Sequence, residues 1–165
     1  MNMKKERVTL SKIALAGIEV RTNNEDEQNP RKAKIAAFWD FYMKEGIEKK
    51  LRGVIEPDLV YGVYYDYETD EKGSYSFFIG KEVDQVKQDG RDDLKLLTIE
   101  EGAYQKIKLG PGKMPDLVIG GWQKVWSSSK ETLGGERRFV ADFELYNKKN
   151  YLKNATTLEL YIGVK

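Results

Sequence analysis

The chain contains no cysteine and no histidine among its 165 residues. Without cysteine it has no disulfide, thiol nucleophile or iron–sulfur cluster, and most structural zinc sites are excluded. Without histidine it has no Ser-His-Asp or Cys-His arrangement and no common catalytic zinc shell. Any chemistry must therefore come from carboxylates, tyrosines, lysines or backbone groups, and we predict neither a metal nor a cofactor.

The sequence also lacks long apolar runs and an excess of charge of either sign. No apolar stretch approaches the roughly 18 residues that cross a bilayer, and no signal-peptide core follows Met1. The 28 basic and 27 acidic side chains nearly cancel, so we expect neither a membrane nor a direct nucleic-acid partner on electrostatic grounds. These absences predict a cytoplasmic protein, and 40% apolar residues suffice for a core.

The first half of the chain is predicted to form a strand, a helix and two further strands. Residues 8–21 are rich in β-prone side chains and predict one or two strands. Asn29 and Pro30 predict a helix start, since Asn caps helices and Pro fits the first helical position. The apolar residues at helical spacing are Ile35, Phe38, Trp39 and Tyr42. Residues 60–65 and 75–80 then predict a hairpin.

The second half repeats this order after a charged segment, residues 84–95, that resembles a linker. Residues 96–108 predict a strand with a possible bulge at Gly102, and residues 110–112 predict a loop. Pro115 then opens a helix. Its apolar side chains are Val118, Trp122 and Val125. Residues 139–146 and 157–164 predict a second hairpin.

The two halves share a fixed separation. Trp39 and Trp122 stand 83 positions apart, and so do Gly80 and Gly163. This predicts an α+β fold of two β-α-β-β units, about 7–83 and 95–165, related by a pseudo-twofold axis within one domain, 1–165. The expected architecture is a largely antiparallel sheet backed by two helices, with an open groove on the other face.

Strand alternation predicts which side chains face that groove. In residues 139–146 we expect the apolar set to face the helices, namely Phe139, Ala141, Phe143 and Leu145. The groove side then receives Asp142, Glu144 and Tyr146. In residues 157–164 we expect Leu158, Leu160 and Ile162 on the helix side, and Glu159 and Tyr161 on the groove side. Tyr64 and Asp66 join the groove if Tyr65 packs inward.

Glu144 has two interpretations at this point. It is either a solvated strand carboxylate or a partly desolvated one that attracts a cation or the polar end of a ligand. The tryptophans Trp39, Trp122 and Trp126 are most simply core residues. However, three Trp and ten Tyr exceed what packing requires, and such amphipathic rings suit broad ligand recognition.

The chain resembles the GyrI-like small-molecule-binding family, the effector-binding domain of AraC- and MerR-type transcription activators. In the first half the resemblance is carried by residues 17–23, 38–41, 61–67 and 79–80. In the second half it is carried by residues 102–104, Trp122, 142–146 and 161–164. It implies a duplicated β-α-β-β fold that binds diverse, often cationic and aromatic compounds around a buried glutamate.

The Asp-Phe-Glu motif places that glutamate at Glu144. The resemblance implies an aromatic lining from Tyr64, Tyr104, Trp122 and Tyr161, to which we add Trp39 and Tyr146 as ligand-binding candidates. Regulators of this family carry a separate helix-turn-helix domain, for which the two repeats leave no room. We therefore expect a stand-alone module that binds or senses a hydrophobic or aromatic small molecule.

Two other functions stay open. Some relatives of this family are hydrolases of strained electrophilic rings, in which case Glu144 would activate a water and Tyr104 or Tyr161 would assist. A protein-binding role, as in gyrase inhibition, is the third possibility, and it would give the chain a protein partner. Nothing in the sequence alone separates turnover from plain binding.

Overall fold

The computed structural model describes residues 4–88 and 93–165, which form one eight-stranded antiparallel sheet, five α-helices and two short 3-10 helices. The strands are β1 Lys5–Leu10, β2 Ile13–Asn23, β3 Leu59–Tyr65, β4 Ser74–Glu82, β5 Lys95–Ile99, β6 Gly102–Gly112, β7 Arg137–Asn147 and β8 Thr156–Val164. The helices are α1 Asn24–Glu27, α2 Ile35–Lys44, α3 Ile47–Lys50, α4 Asp116–Ser127 and α5 Lys130–Leu133, with 3-10 turns at Gln85–Lys87 and Lys148–Asn150. The predicted α+β class with an antiparallel sheet is confirmed.

The strand order is β1-β6-β8-β7-β3-β4-β2-β5, so the sheet has the same layout on both sides of its central β7–β3 pair. Each half supplies three neighbouring strands, while β1 and β5 cross over to the edge of the other half. Tyr64 pairs with Phe77, and Glu144 pairs with Leu160. Phe77 and Leu160 are 83 positions apart, which is the distance along the sequence between the two repeats. Tyr64 and Glu144 therefore occupy equivalent places in the two halves.

One face of the sheet carries the helices. Tyr42 of α2 and Trp122 and Val125 of α4 pack there on strand residues such as Phe77 and Leu160, all of them buried. The helical spacing predicted for both helices is therefore confirmed. Within the described residues, no helix is both long and apolar enough to cross a membrane.

The opposite face has an apolar core that the described strands build by themselves. Its buried residues are Leu15, Tyr61, Val63, Phe78, Ile99, Tyr104, Ala141, Phe143 and Tyr161. The edge strands β1 and β5 add Val8, Leu10 and Leu97 to it. Both faces of the sheet are thus apolar.

The predicted faces are wrong for β7 and right for β8. Phe143 and Ala141 lie in the strand-only core, whereas Glu144 and Tyr146 lie on the helix face. Tyr64 lies on the helix face as well. Apolar alternation could not distinguish the two sides, because each apolar set packs in a core of its own.

Helix α2 starts later than predicted, at Ile35. Asn29 and Pro30 lie in a turn, where the Asn29 carbonyl accepts from the backbone N–H of Ala33 at 2.8 Å. The helix is capped by Glu27, whose carboxylate accepts from the backbone N–H groups of Lys34 and Ile35 at 2.9 and 3.0 Å. A carboxylate eight residues upstream thus replaces the local Asn cap.

The chain between the two halves also differs from the prediction. The expected single strand at 96–108 is divided into β5 and β6, and Gly102 begins β6 rather than forming a bulge. Residues 110–112 belong to the end of β6, where the register with β8 shifts after Leu109. Of the predicted linker 84–95, residues 89–92 lie outside the described part, Gln85–Lys87 is a 3-10 turn and Lys95 starts β5.

Candidate functional site

Glu144 lies on the helix face of β7 and is 3% exposed. Its partner across the central strand pair is Gly62 of β3. A Cβ at Gly62 would stand 3.3 Å from Glu144 Oε1 and 3.3 Å from Trp39 Cζ2. The missing side chain therefore makes room for the carboxylate beneath the Trp39 ring.

Three neutral donors hold the Glu144 carboxylate. Oε2 accepts from Tyr64 Oη at 2.7 Å and from Trp122 Nε1 at 2.8 Å, while Oε1 accepts from Tyr146 Oη at 2.6 Å. A carboxylate offers about four lone-pair sites on its two oxygens. One site, on Oε1, is left after these three bonds.

Burial raises the pKa of Glu144, and the hydrogen bonds from Tyr146, Tyr64 and Trp122 oppose that shift. No ion pair involves Glu144 in the part of the chain that the structure describes. An ionised carboxylate in an apolar interior is costly unless a cation compensates it. When Glu144 is ionised, it is therefore an anion with no counter-charge among the described residues.

Aromatic rings surround this carboxylate. Tyr64 lies 4.9 Å from Trp122 and 4.8 Å from Phe77 between ring centroids, and Trp39 lies 5.3 Å from Tyr146. The faces of such rings carry negative potential and attract cations. The rings and the carboxylate would thus both attract a positively charged ligand.

Two exposed rings flank the buried ones. Trp126 stacks on Trp122 with centroids 6.3 Å apart and is 39% exposed, so it is not the core residue that the sequence suggested. Tyr151 lies 6.3 Å from Tyr146 and is 55% exposed. Sequence reasoning missed Tyr151, since it follows a 3-10 turn outside both predicted strands.

Asp142, two residues before Glu144, is a buried carboxylate of a different kind. It is fully buried and pairs with Arg137 Nη2 at 2.7 Å. It also accepts from Tyr67 Oη at 2.5 Å and from the Gly163 N–H at 2.8 Å. The same strand face therefore carries one carboxylate that is paired with a cation and one that no cation of the described residues contacts.

The structure brings together five of the seven residues that the sequence nominated as ligand-binding, namely Glu144, Trp122, Tyr64, Tyr146 and Trp39. Tyr104 and Tyr161 belong to the strand-only core on the other face. Tyr161 stacks on Phe143 at 4.6 Å, and Tyr104 lies beneath the Arg138 guanidinium at 5.1 Å. Neither can assist a reaction at Glu144, so the hydrolase arrangement proposed from the sequence is wrong in that respect.

Comparison with known proteins gives the family. The sequence profile of Cass2, integron-associated effector binding protein, matches residues 7–164. The chain belongs to this family. A search of curated proteins finds no match.

Solved structures agree with this assignment. An integron cassette protein from Vibrio cholerae is 27% identical, with a TM-score of 0.75 over 99% of this chain and 98% of that one. A putative bacterial transcription regulation protein from Staphylococcus aureus is 18% identical, with a TM-score of 0.75 over 99% of both chains. A third structure, bound to tetraphenylphosphonium, is 21% identical, with a TM-score of 0.75 over 99% of this chain and 94% of that one.

The family match confirms the expected resemblance to effector-binding domains, and the fold is shared with a putative bacterial transcription regulation protein. The protein is an effector-binding protein of this type.

Proposed function

We propose that this protein binds lipophilic organic cations at Glu144, as a binding or sensing module. The observation that carries the proposal is the buried carboxylate, which has three neutral donors and no cation paired with it in residues 4–88 and 93–165. A guest cation would supply the missing counter-charge, and the surrounding rings would cover its apolar groups.

The hydrogen bonds to Glu144 also favour one kind of cation. Three of about four acceptor sites are already used, so a primary ammonium with three N–H donors would leave some of them unsatisfied among the rings. A cation with dispersed charge and few or no N–H groups avoids that cost. The tetraphenylphosphonium ion, to which one solved structure of the same fold is bound, is of this kind.

Access requires movement of side chains. Because Glu144 is 3% exposed, a cation reaches the carboxylate only if at least one covering ring moves. The exposed rings Trp126 and Tyr151 lie against the inner rings Trp122 and Tyr146, which gives an arriving cation a first stacking surface. Ligand binding should therefore alter tryptophan fluorescence.

The test is a calorimetric titration with tetraphenylphosphonium. At an ion separation of 5 Å and an effective dielectric constant of 20, the charge on Glu144 contributes about 3 kcal/mol, so we expect Glu144→Gln to weaken binding about 100-fold. The matched control is Glu159→Gln, which removes a strand carboxylate on the opposite face. Equal affinity in Glu144→Gln and wild type would refute the proposal.

A further inference from the structure

A cleft with a volume of about 410 Å³ lies on the face of the sheet opposite Glu144. It runs between the edge strand β5 and the central strands β3 and β7. The side chains that give it an apolar wall are Val63, Leu97, Ile99, Phe139, Val140 and Ala141. Clefts of about 300–1,000 Å³ are typical of small-molecule sites.

The cleft exists because the two halves differ in side-chain size. Val63 pairs with Phe78, and Phe143 pairs with Tyr161, which lies one repeat distance from Phe78. Val63 and Phe143 are therefore equivalent positions. In the second half Phe143 stacks on Tyr161 at 4.6 Å, whereas a valine stands at the corresponding place by the cleft.

Ala141 shows the same difference. Gly62 pairs with Ile79, and Asp142 pairs with Ile162, the equivalent of Ile79 in the second half. Gly62 and Asp142 are therefore equivalent. The residues that precede these two, Tyr61 and Ala141, are equivalent as well. Tyr61 packs on Phe143 with ring centroids 5.5 Å apart. Alanine at the equivalent place removes a whole ring. Val63 and Ala141, one from each half, thus open on one side of the pseudo-twofold axis the space that Phe143 and Tyr61 fill on the other side.

The polar groups around the cleft favour a neutral guest. Asp66 pairs with Arg21 at 3.3 Å, and the Arg137 guanidinium lies 4.2 Å above the Phe139 ring while it pairs with Asp142. Glu100 is at the exposed rim. Among the described residues, the Tyr65 hydroxyl is buried without a hydrogen-bond partner. A buried hydroxyl gains from any group that satisfies it.

We propose that this cleft is a second ligand site, for neutral aromatic molecules of one or two rings that carry a single hydrogen-bonding group. The rings pack between Val63 and Ala141, and the polar group bonds the Tyr65 hydroxyl. This site is separate from the one at Glu144, because successive residues of β3 and β7 point to opposite faces. It does not depend on cation binding at Glu144.

The test uses 2-naphthol, a neutral fluorescent probe with one hydroxyl group, titrated into the full chain. Ala141→Tyr places in the cleft the side chain that the other half carries at Tyr61, and we expect it to weaken 2-naphthol at least about tenfold. Because an added ring in a buried position can disturb folding, Val140→Asp is a second variant. Val140 is 55% exposed at the cleft, so a charge there should lower the affinity with the fold intact.

Two further comparisons separate this site from the Glu144 site and test the role of Tyr65. Glu144→Gln should keep the 2-naphthol affinity within about twofold, and tetraphenylphosphonium should not compete with the probe. Tyr65→Phe should weaken 2-naphthol more than naphthalene, which has no hydroxyl. The proposal is overturned if 2-naphthol shows no saturable binding or if both cleft variants bind it as tightly as wild type. It is also overturned if Glu144→Gln no longer binds 2-naphthol or if tetraphenylphosphonium displaces it. Equal effects of Tyr65→Phe on both probes would remove the hydrogen bond from the proposal.

Discussion

Tyr64 donates a hydrogen bond of 2.7 Å to Glu144, and the two residues occupy equivalent positions in the two halves of the sheet. The duplicated unit therefore places a phenol on one side of its central strand pair and a carboxylate on the other. Because both side chains point towards the helices, they meet beneath Trp122. Because these two equivalent positions carry different side chains, Glu144 supplies the hydrogen-bond acceptor and Tyr64 supplies its donor.

The pH dependence of stability follows from the buried position of Glu144. Its pKa is raised by burial, so the folded protein holds this proton more tightly than the unfolded chain does. Stability from this group is full below the ordinary value of 4.5 and is lost as pH rises through the folded pKa. Urea unfolding from about pH 4.5 to 8 should show wild type losing stability relative to Glu144→Gln.

The difference in stability between wild type and Glu144→Gln reports on the Glu144 carboxylate, because the other titrating groups are common to both proteins. Burial also raises the pKa values of Tyr64 and Tyr146, so these phenols remain donors across the range. Parallel stability profiles would mean that Glu144 does not titrate differently on folding.

Removing a phenol donor from Glu144 should destabilise the charged site. Tyr146→Phe leaves Oε1 without its 2.6 Å bond, and Tyr64→Phe removes the 2.7 Å bond to Oε2. We expect each variant to lose about 1–3 kcal/mol of the free energy of unfolding at neutral pH. The loss should shrink in acid, where a protonated Glu144 needs fewer donors. Tyr151→Phe is the control, since its exposed ring only contacts Tyr146; a loss there as large as in Tyr146→Phe would contradict the assignment.

Neutralisation should destabilise the protein much more at Asp142 than at Glu144. Asp142→Asn leaves Arg137, with a side chain only 10% exposed, without its carboxylate, and we expect a loss of about 3–5 kcal/mol. Glu144→Gln removes a buried charge that no cation pairs, so its free energy of unfolding should change by less than about 1 kcal/mol. Denaturant unfolding at neutral pH measures both. A larger loss in Glu144→Gln than in Asp142→Asn would show that Glu144 is a structural residue.

The sequence predicted the fold class and both main helices, and it nominated Glu144 as the centre of the candidate site. Glu144, Trp122, Tyr64, Tyr146 and Trp39 were all nominated, because the motifs that carry the family resemblance are local patterns. Their common location was not predicted correctly. Glu144 pairs with Leu160, and directly paired residues share a face, so the strand register carries the information that alternation lacked.

Other features depend on contacts between distant segments. The room that Gly62 gives to Glu144 and Trp39 is set by the β3–β7 register. The Glu27 cap joins α1 to the start of α2 across a turn, which no local capping rule reveals. The cleft beside Val63 and Ala141 depends on which residues of the two halves are equivalent, and the strand register sets that equivalence.

The most direct test of charge recognition at Glu144 compares a cation with its neutral isostere. Phenyltrimethylammonium and tert-butylbenzene have nearly the same shape, so their difference in affinity, followed by tryptophan fluorescence in wild type and in Glu144→Gln, isolates the charge. We predict that wild type prefers the cation by about 10–100-fold and that Glu144→Gln loses this preference. The same preference in both proteins, or none in wild type, would contradict recognition of cations by the buried carboxylate.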